Sequence, residues 1–179
     1  ILDKAFGNTP LVIKYITEND KRARLLFLKA AGELMLTEAA PTLTSIITAD
    51  KDPDILAEAI TALGALRLPE SLATLANMTS QPDASVKRAA IFAIAEAGSN
   101  DAVDQLTGFI GDDEETNKLA VEAIADIQDL YALDKLASLL SSTSTIVRDT
   151  AIDQLMKLGS KATPILTKAF QNAEADYLV

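Results

Sequence analysis

A single apolar frame recurs five times along this chain, each time over about one helical hairpin, and few folds can carry such a frame. Its clearest copy runs from Val86 to Ile110, VKRAAIFAIAEAGSNDAVDQLTGFI. With Val86 as origin and 100° per residue, Val86, Ala90, Ile91, Ile94 and Ala97 fall in one arc, the stripe of a helix packed on one side. After the turn Gly98-Ser99-Asn100-Asp101, residues Ala102, Leu106, Phe109 and Ile110 give a second helix its own stripe at i, i+4, i+7 and i+8. Asp83 suits the N-cap of the first helix, and Asn100 or Asp101 that of the second. Val86 aligns with Ala23, Ile55, Thr116 and Val147, at successive spacings of 32, 31, 30 and 31 residues. Ala90 matches Phe27, Ala59, Ala120 and Ala151; Ile94 matches Ala31, Leu63, Ile124 and Leu155. Leu106 matches Leu43, Leu75, Leu136 and Leu166.

A frame of this period predicts an all-α stack of helical hairpins in which each unit buries its apolar face on its neighbours. Strand-like alternation, linkers and low-complexity segments are absent, so residues 1–179 read as one solenoid domain of about ten to twelve helices. Residues 1–19 are the tail of an earlier unit. Full units follow at about 20–49, 50–80, 81–110, 111–141 and 142–172, and 173–179 begin another. In the first full unit, Asp20 caps a helix expected to run through RARLLFLKAAGELML, and Thr37 and Pro41 open its second helix. Residues 1–6 match the close of a first helix and 175–179 the opening of one, both apolar enough to bury. The expectation is a piece of a longer array whose open ends associate weakly end to end.

Composition narrows the chemistry. The chain is 49% hydrophobic but only 4% aromatic, which suits closely stacked helices better than an aromatic-lined pocket. There is no histidine and no cysteine. The commonest general base, the commonest metal ligand and the thiol nucleophile are therefore all missing. No glycine-rich phosphate loop is present either. No apolar run approaches the ~20 residues of a membrane span, and no signal peptide is evident, so a cytoplasmic location is expected. Net charge is −10, against the cationic surface that nucleic-acid binders need. The charge is graded. Residues 1–30 hold Lys4, Lys14, Lys21, Arg22, Arg24 and Lys29 against three acids, whereas residues 96–135 hold eleven acids against Lys118 and Lys135. A basic partner would favour that second stretch. The run Asp112-Asp113-Glu114-Glu115 lacks the alternating oxygens and central glycine of a calcium loop, but suits the positive end of the helix that follows. Neither metal nor cofactor is expected.

Val147-Arg148 followed by Ala151-Ile152 and closed by Leu158-Gly159 resembles the VRxxAxxALG signature of HEAT repeats, in the short form named after phycobilin lyases. Val86-Lys87-Arg88-Ala89-Ala90-Ile91 with Ala97-Gly98, and Ala59-Ile60 with Ala62-Leu63-Gly64, are weaker copies. The resemblance covers nearly the whole chain and implies a right-handed α-α superhelix. The family's arginine stands at Arg24 and Arg148 but is replaced by Leu56, Lys87 and Asn117 in the other units, which interrupts its polar ladder between repeats. Catalytic relatives fit poorly. The iron-dependent hydroxylases of this class carry His-Glu pairs, and the HEAT-like DNA glycosylases need a cationic, aromatic-lined groove. Phycobilin lyase subunits lack a compact motif, so a lyase-like or chaperone-like subunit acting on a bilin or a partner protein stays as the alternative. A purely structural spacer is a third reading.

The resemblance implies that second helices line the concave side. Their outward positions read Thr42 and Ser45, Thr74 and Asn77, Gln105 and Gly108, Lys135 and Ser138, Ile165 and Lys168. Asp104 and Asp134 stand beside that row and would add an acidic edge. On the other side Phe92 occupies a slot held elsewhere by Lys29, Thr61, Glu122 and Asp153, so it is expected to be exposed. The functional expectation is a non-enzymatic scaffold that binds a protein or peptide, basic in character, through these residues.

Overall fold

The computed structural model describes residues 9–111 and 113–168. The expectations for 1–8, for Asp112 and for 169–179 lie outside the described residues. Every described element is helical, and the chain forms two compact units, residues 1–98 and 99–179.

In the first unit α1 (Thr9–Ile16) is followed by α2 (Lys21–Glu33), α3 (Ala40–Ala49), α4 (Pro53–Ala65), α5 (Leu72–Met78) and α6 (Ala84–Glu96). Helices α2, α4 and α6, the first helices of their hairpins, pack successively in one layer, while α1, α3 and α5 pack against them. In the second unit α7 (Asn100–Gly108), α8 (Glu114–Ile127), α9 (Leu130–Ser138) and α10 (Thr145–Leu158) repeat the arrangement, and α11 covers residues 163–168. There α8 packs on α10 and α7 on α9.

The apolar frame forms the core. Val86, Ile91, Ile94, Ile55, Ile60, Leu63, Leu28, Ile124 and Val147 are all at most 1% exposed. Burying each such aliphatic side chain contributes about 1.5–3 kcal/mol relative to leaving it in water. Helix starts are set by one slot, three residues before the frame's origin. Asp20, Asp52, Asp83, Asp113 and Ser144 occupy it, and each accepts a hydrogen bond from a backbone N–H in the first turn that follows. For α7 the cap is Ser99, not Asn100 or Asp101: the serine sits in extended backbone and its hydroxyl oxygen accepts from the Ala102 N–H at 3.1 Å.

Helix ends follow a second slot, one turn past the stripe. Met35, Arg67, Gly98, Gln128 and Gly159 share it, and all five have φ between 50° and 61°. At Met35 the Leu36 N–H donates to the Ala31 carbonyl and the Met35 N–H to the Gly32 carbonyl, both at 3.0 Å, the paired bonds of a Schellman ending. That ending stops α2 at Glu33, short of the run to Leu36 expected from the sequence. Glycine takes this left-handed conformation without a Cβ clash; Met35, Arg67 and Gln128 do not.

First helices approach one another through small residues. A Cβ added at Gly64 would lie 2.6 Å from both the Cα and the Cβ of Ala93, and one added at Gly32 would lie 3.0 Å from the Ala62 Cα. Alanine is the better helix former by roughly 1 kcal/mol, yet backbone cannot give way as a flexible side chain can. Gly64→Ala is therefore expected to lower stability, by about 1–3 kcal/mol, read as a lower urea midpoint with an unchanged slope. Met35→Gly has the opposite sign: relief of left-handed strain of about 1–2 kcal/mol, partly offset by glycine's backbone entropy, should raise the midpoint in the same assay.

Candidate partner-binding surface

The residues of the outward row stand on second helices whose buried side, Leu43, Leu75, Leu106 and Leu136, is sealed from water. In the first unit Ser45 and Asn77 are exposed and Thr42 and Thr74 half-buried, on α3 and α5 respectively. In the second unit Gly108, Ser138, Asp104 and Asp134 are exposed, and Gln105 and Lys135 half-buried. The Gln105 Oε1 is buried without a hydrogen-bond partner. Ile165 is not on this surface. It packs with Leu133, Ala137 and Leu158 and is 6% exposed, because α11 turns its apolar side inward there.

The structure brings the charged members of the second unit together in rungs between successive second helices. Lys135 Nζ on α9 lies 3.0 Å from the Asp104 Oδ1 on α7, and Lys168 Nζ on α11 lies 3.2 Å from the Asp134 Oδ2 on α9. Asp104 and Asp134 were expected to make an acidic edge. Each instead meets a lysine from the next hairpin, because a lysine side chain is long enough to reach back across one repeat. Tyr131 completes the first rung: its hydroxyl donates to Asp104 Oδ1 at 2.7 Å, and the Lys135 ammonium sits 5.3 Å from its ring centroid. Sequence reading passed over Tyr131. It lies in the first turn of α9, off the counted row, and its four-residue spacing to Lys135 was the available signal.

These contacts set the local proton affinities. The Tyr131 hydroxyl, and then the Lys135 ammonium, hold the Asp104 carboxyl below the usual carboxylate range. The Asp104 carboxylate in turn holds both the Lys135 ammonium and the Tyr131 phenol above theirs. Asp104 is exposed and Tyr131 and Lys135 are half-buried, so the rung as a surface ion pair adds little to stability.

Phe92, on α6, is half-buried rather than fully exposed, and the Arg88 guanidinium one turn earlier lies 5.1 Å from its ring centroid. The expected capping role of the acidic run is met at Asp113, whose carboxylate accepts from the Thr116 N–H at 2.9 Å and from its hydroxyl at 2.7 Å. Among the described residues no group of three or more His, Cys, Asp or Glu could hold a metal ion, and no helix is long and apolar enough to cross a membrane.

The family's arginine slot has a structural task at the junction of hairpins. Arg24 Nε donates to the Ile16 carbonyl at 3.0 Å, at the end of α1, and its other nitrogen meets Asp50 at 2.6 Å beyond α3. Burial pushes the Asp50 carboxyl up, but the Asp52 N–H and the Arg24 guanidinium outweigh it and hold the group low. Arg148 donates to the carbonyls of Ser142 and Thr143, at 2.7 and 3.1 Å, between the α9 hairpin end and α10. Asn117 does the converse, its Oδ1 accepting from the Gly111 N–H at 2.7 Å.

The sequence model for HEAT repeats matches residues 9–85 and 111–178. No curated protein matches the sequence. Among solved structures, an engineered protein is 17% identical with a TM-score of 0.58, over 92% of this chain and 95% of that one. The complex of CpcE and CpcF of phycocyanin lyase from Nostoc sp. PCC7120 is also 17% identical, with a TM-score of 0.62 over 85% of this chain and 65% of that one. A designed armadillo repeat protein is 19% identical, with a TM-score of 0.52 over 90% and 88%. Identities this low speak for the fold alone.

Titration of Asp104 followed by NMR tests the rung. Its midpoint should lie below that of an ordinary aspartate, and Tyr131→Phe and Lys135→Ala should each move it back up.

Proposed function

The chain belongs to the HEAT-repeat family, and on that premise we propose that it is a protein-binding scaffold without catalytic activity of its own. One observation carries the reading: charged and hydroxyl side chains, Asp104, Tyr131, Lys135, Asp134 and Lys168, form exposed or half-buried rungs on successive second helices above a sealed core. Such a row offers a protein or an extended peptide hydrogen bonds and ion pairs at the spacing of the repeats. A non-catalytic role is supported by the lack of histidine and cysteine. The partner we propose is basic and docks along residues 96–135, which carry most of the chain's acid excess. A cytoplasmic setting goes with this reading. The bilin-related alternative has only the fold in its favour.

Electrostatic docking acts mainly through on-rate and orientation and is screened by salt. Binding to a partner, once one is isolated, should weaken markedly between low and physiological salt. Reversing Asp104 and Asp134 to Lys should weaken it further, with helix content by circular dichroism unchanged. A strongly acidic partner, an affinity indifferent to salt, or full binding by the reversed variant would overturn the proposal.

A further inference from the structure

The two rungs of the second unit are not built alike. At Asp134 the Lys168 ammonium lies between both carboxylate oxygens, 3.3 Å from Oδ1 and 3.2 Å from Oδ2. At Asp104 both donors converge on one oxygen: the Tyr131 hydroxyl at 2.7 Å and the Lys135 ammonium at 3.0 Å both meet Oδ1. Oδ2 accepts no hydrogen bond among the described residues, and the Asp104 side chain is 53% exposed. The carboxylate keeps an unused oxygen.

Tyr131 adds an aromatic face. Lys135 follows it by four residues on α9, so its ammonium lies 5.3 Å from the ring centroid while it reaches Asp104 on α7. A carboxylate, a phenol oxygen and the negative face of a ring all favour a cation and disfavour an anion. They come from two helices, and one of the chain's own cations already sits among them.

An arginine side chain suits this set better than the resident lysine does. Its planar guanidinium stacks on an aromatic ring, and its fork of N–H donors spans both oxygens of a carboxylate, including the Oδ2 that Lys135 leaves unused. The Lys135 side chain is 34% exposed and Tyr131 half-buried, so the group is open to a chain laid along the second helices. A surface pair of this kind contributes little, and an incoming guanidinium competes with it on near-equal terms. We propose that Asp104 and Tyr131 form a subsite for an arginine side chain of an extended basic peptide, with Lys135 as the resident cation that the arginine displaces. The subsite rests on the scaffold reading above and names the side chain taken at this rung. Lys135 then acts as a built-in competitor that lowers the affinity of the site.

NMR titration of the 179-residue chain with the peptide Ac-Gly-Arg-Gly-NH2, and with its neutral citrulline counterpart, tests it. The Tyr131 ring signals should shift with the arginine peptide and stay in place with the citrulline one. Lys135→Ala removes the competitor and should tighten the arginine peptide by about two- to fivefold. Lys135→Met, which keeps the aliphatic stem without the charge, should do the same. Asp104→Asn and Tyr131→Ala should each weaken it, with helix content by circular dichroism unchanged. Lys135 variants that bind the arginine peptide no better than the unaltered chain would overturn the proposal. So would equal shifts with the citrulline peptide, or binding indifferent to Asp104→Asn. Those outcomes remove the subsite alone, because the scaffold reading stands or falls on the salt dependence and charge reversal given above.

Discussion

The packing of the first unit depends on how closely successive first helices can approach. That approach is limited by Gly32 against Ala62 and Gly64 against Ala93, where each glycine lies against the backbone and the single methyl group of an alanine. The short separation brings the branched residues on either side, Leu28, Ile60 and Leu63, into full burial. Dispersion falls away steeply over fractions of an ångström, so a helix pair held even slightly further apart would lose contacts along its whole length. The glycines forgo helix propensity, and the tighter packing is expected to offset that loss.

Two recurrent backbone solutions turn this layer into hairpins. Aspartate or serine three residues before each stripe captures the first free N–H groups, and a left-handed residue after each stripe closes the end. The first device was readable because caps are chosen by side-chain chemistry. The second was only half readable. Gly98 and Gly159 announce a left-handed position; Met35, Arg67 and Gln128 do not, and only the alignment of all five by period picks them out. The misplaced end of α2 has this cause. The cap of α7 has another: three adjacent residues could serve, and Ser99 wins because its backbone, not its side chain alone, enters the helix from the extended region.

The surface was less legible than the core for a physical reason. Periodicity tells which way a side chain points from its own helix, but not how far it reaches toward the next. Lys135 and Lys168 span to Asp104 and Asp134 across a repeat, so residues more than thirty positions apart neutralise each other. Ile165 fails in the opposite sense. Counted as outward, it is drawn under by Leu133, Ala137 and Leu158, and an aliphatic residue in a row of polar ones was the warning.

The interrupted signature shows how a repeat can lose its consensus and keep its fold. At the slot after the frame's origin Arg24 and Arg148 donate to carbonyls at the end of the preceding second helix, whereas Asn117 accepts from an N–H there. The requirement is not an arginine but a polar atom of the right sign, placed where a helix end leaves backbone groups without partners. Which sign is needed depends on how the preceding helix ends. After α1 and α9 the neighbouring free groups are carbonyls; at Gly111, whose φ is 125°, the backbone turns an N–H toward α8 instead. Arg24 goes further and also holds Asp50, tying two successive junctions through one side chain. A family pattern scored residue by residue counts Asn117 as a departure, while the hydrogen bonds count it as the same joint made with the opposite polarity.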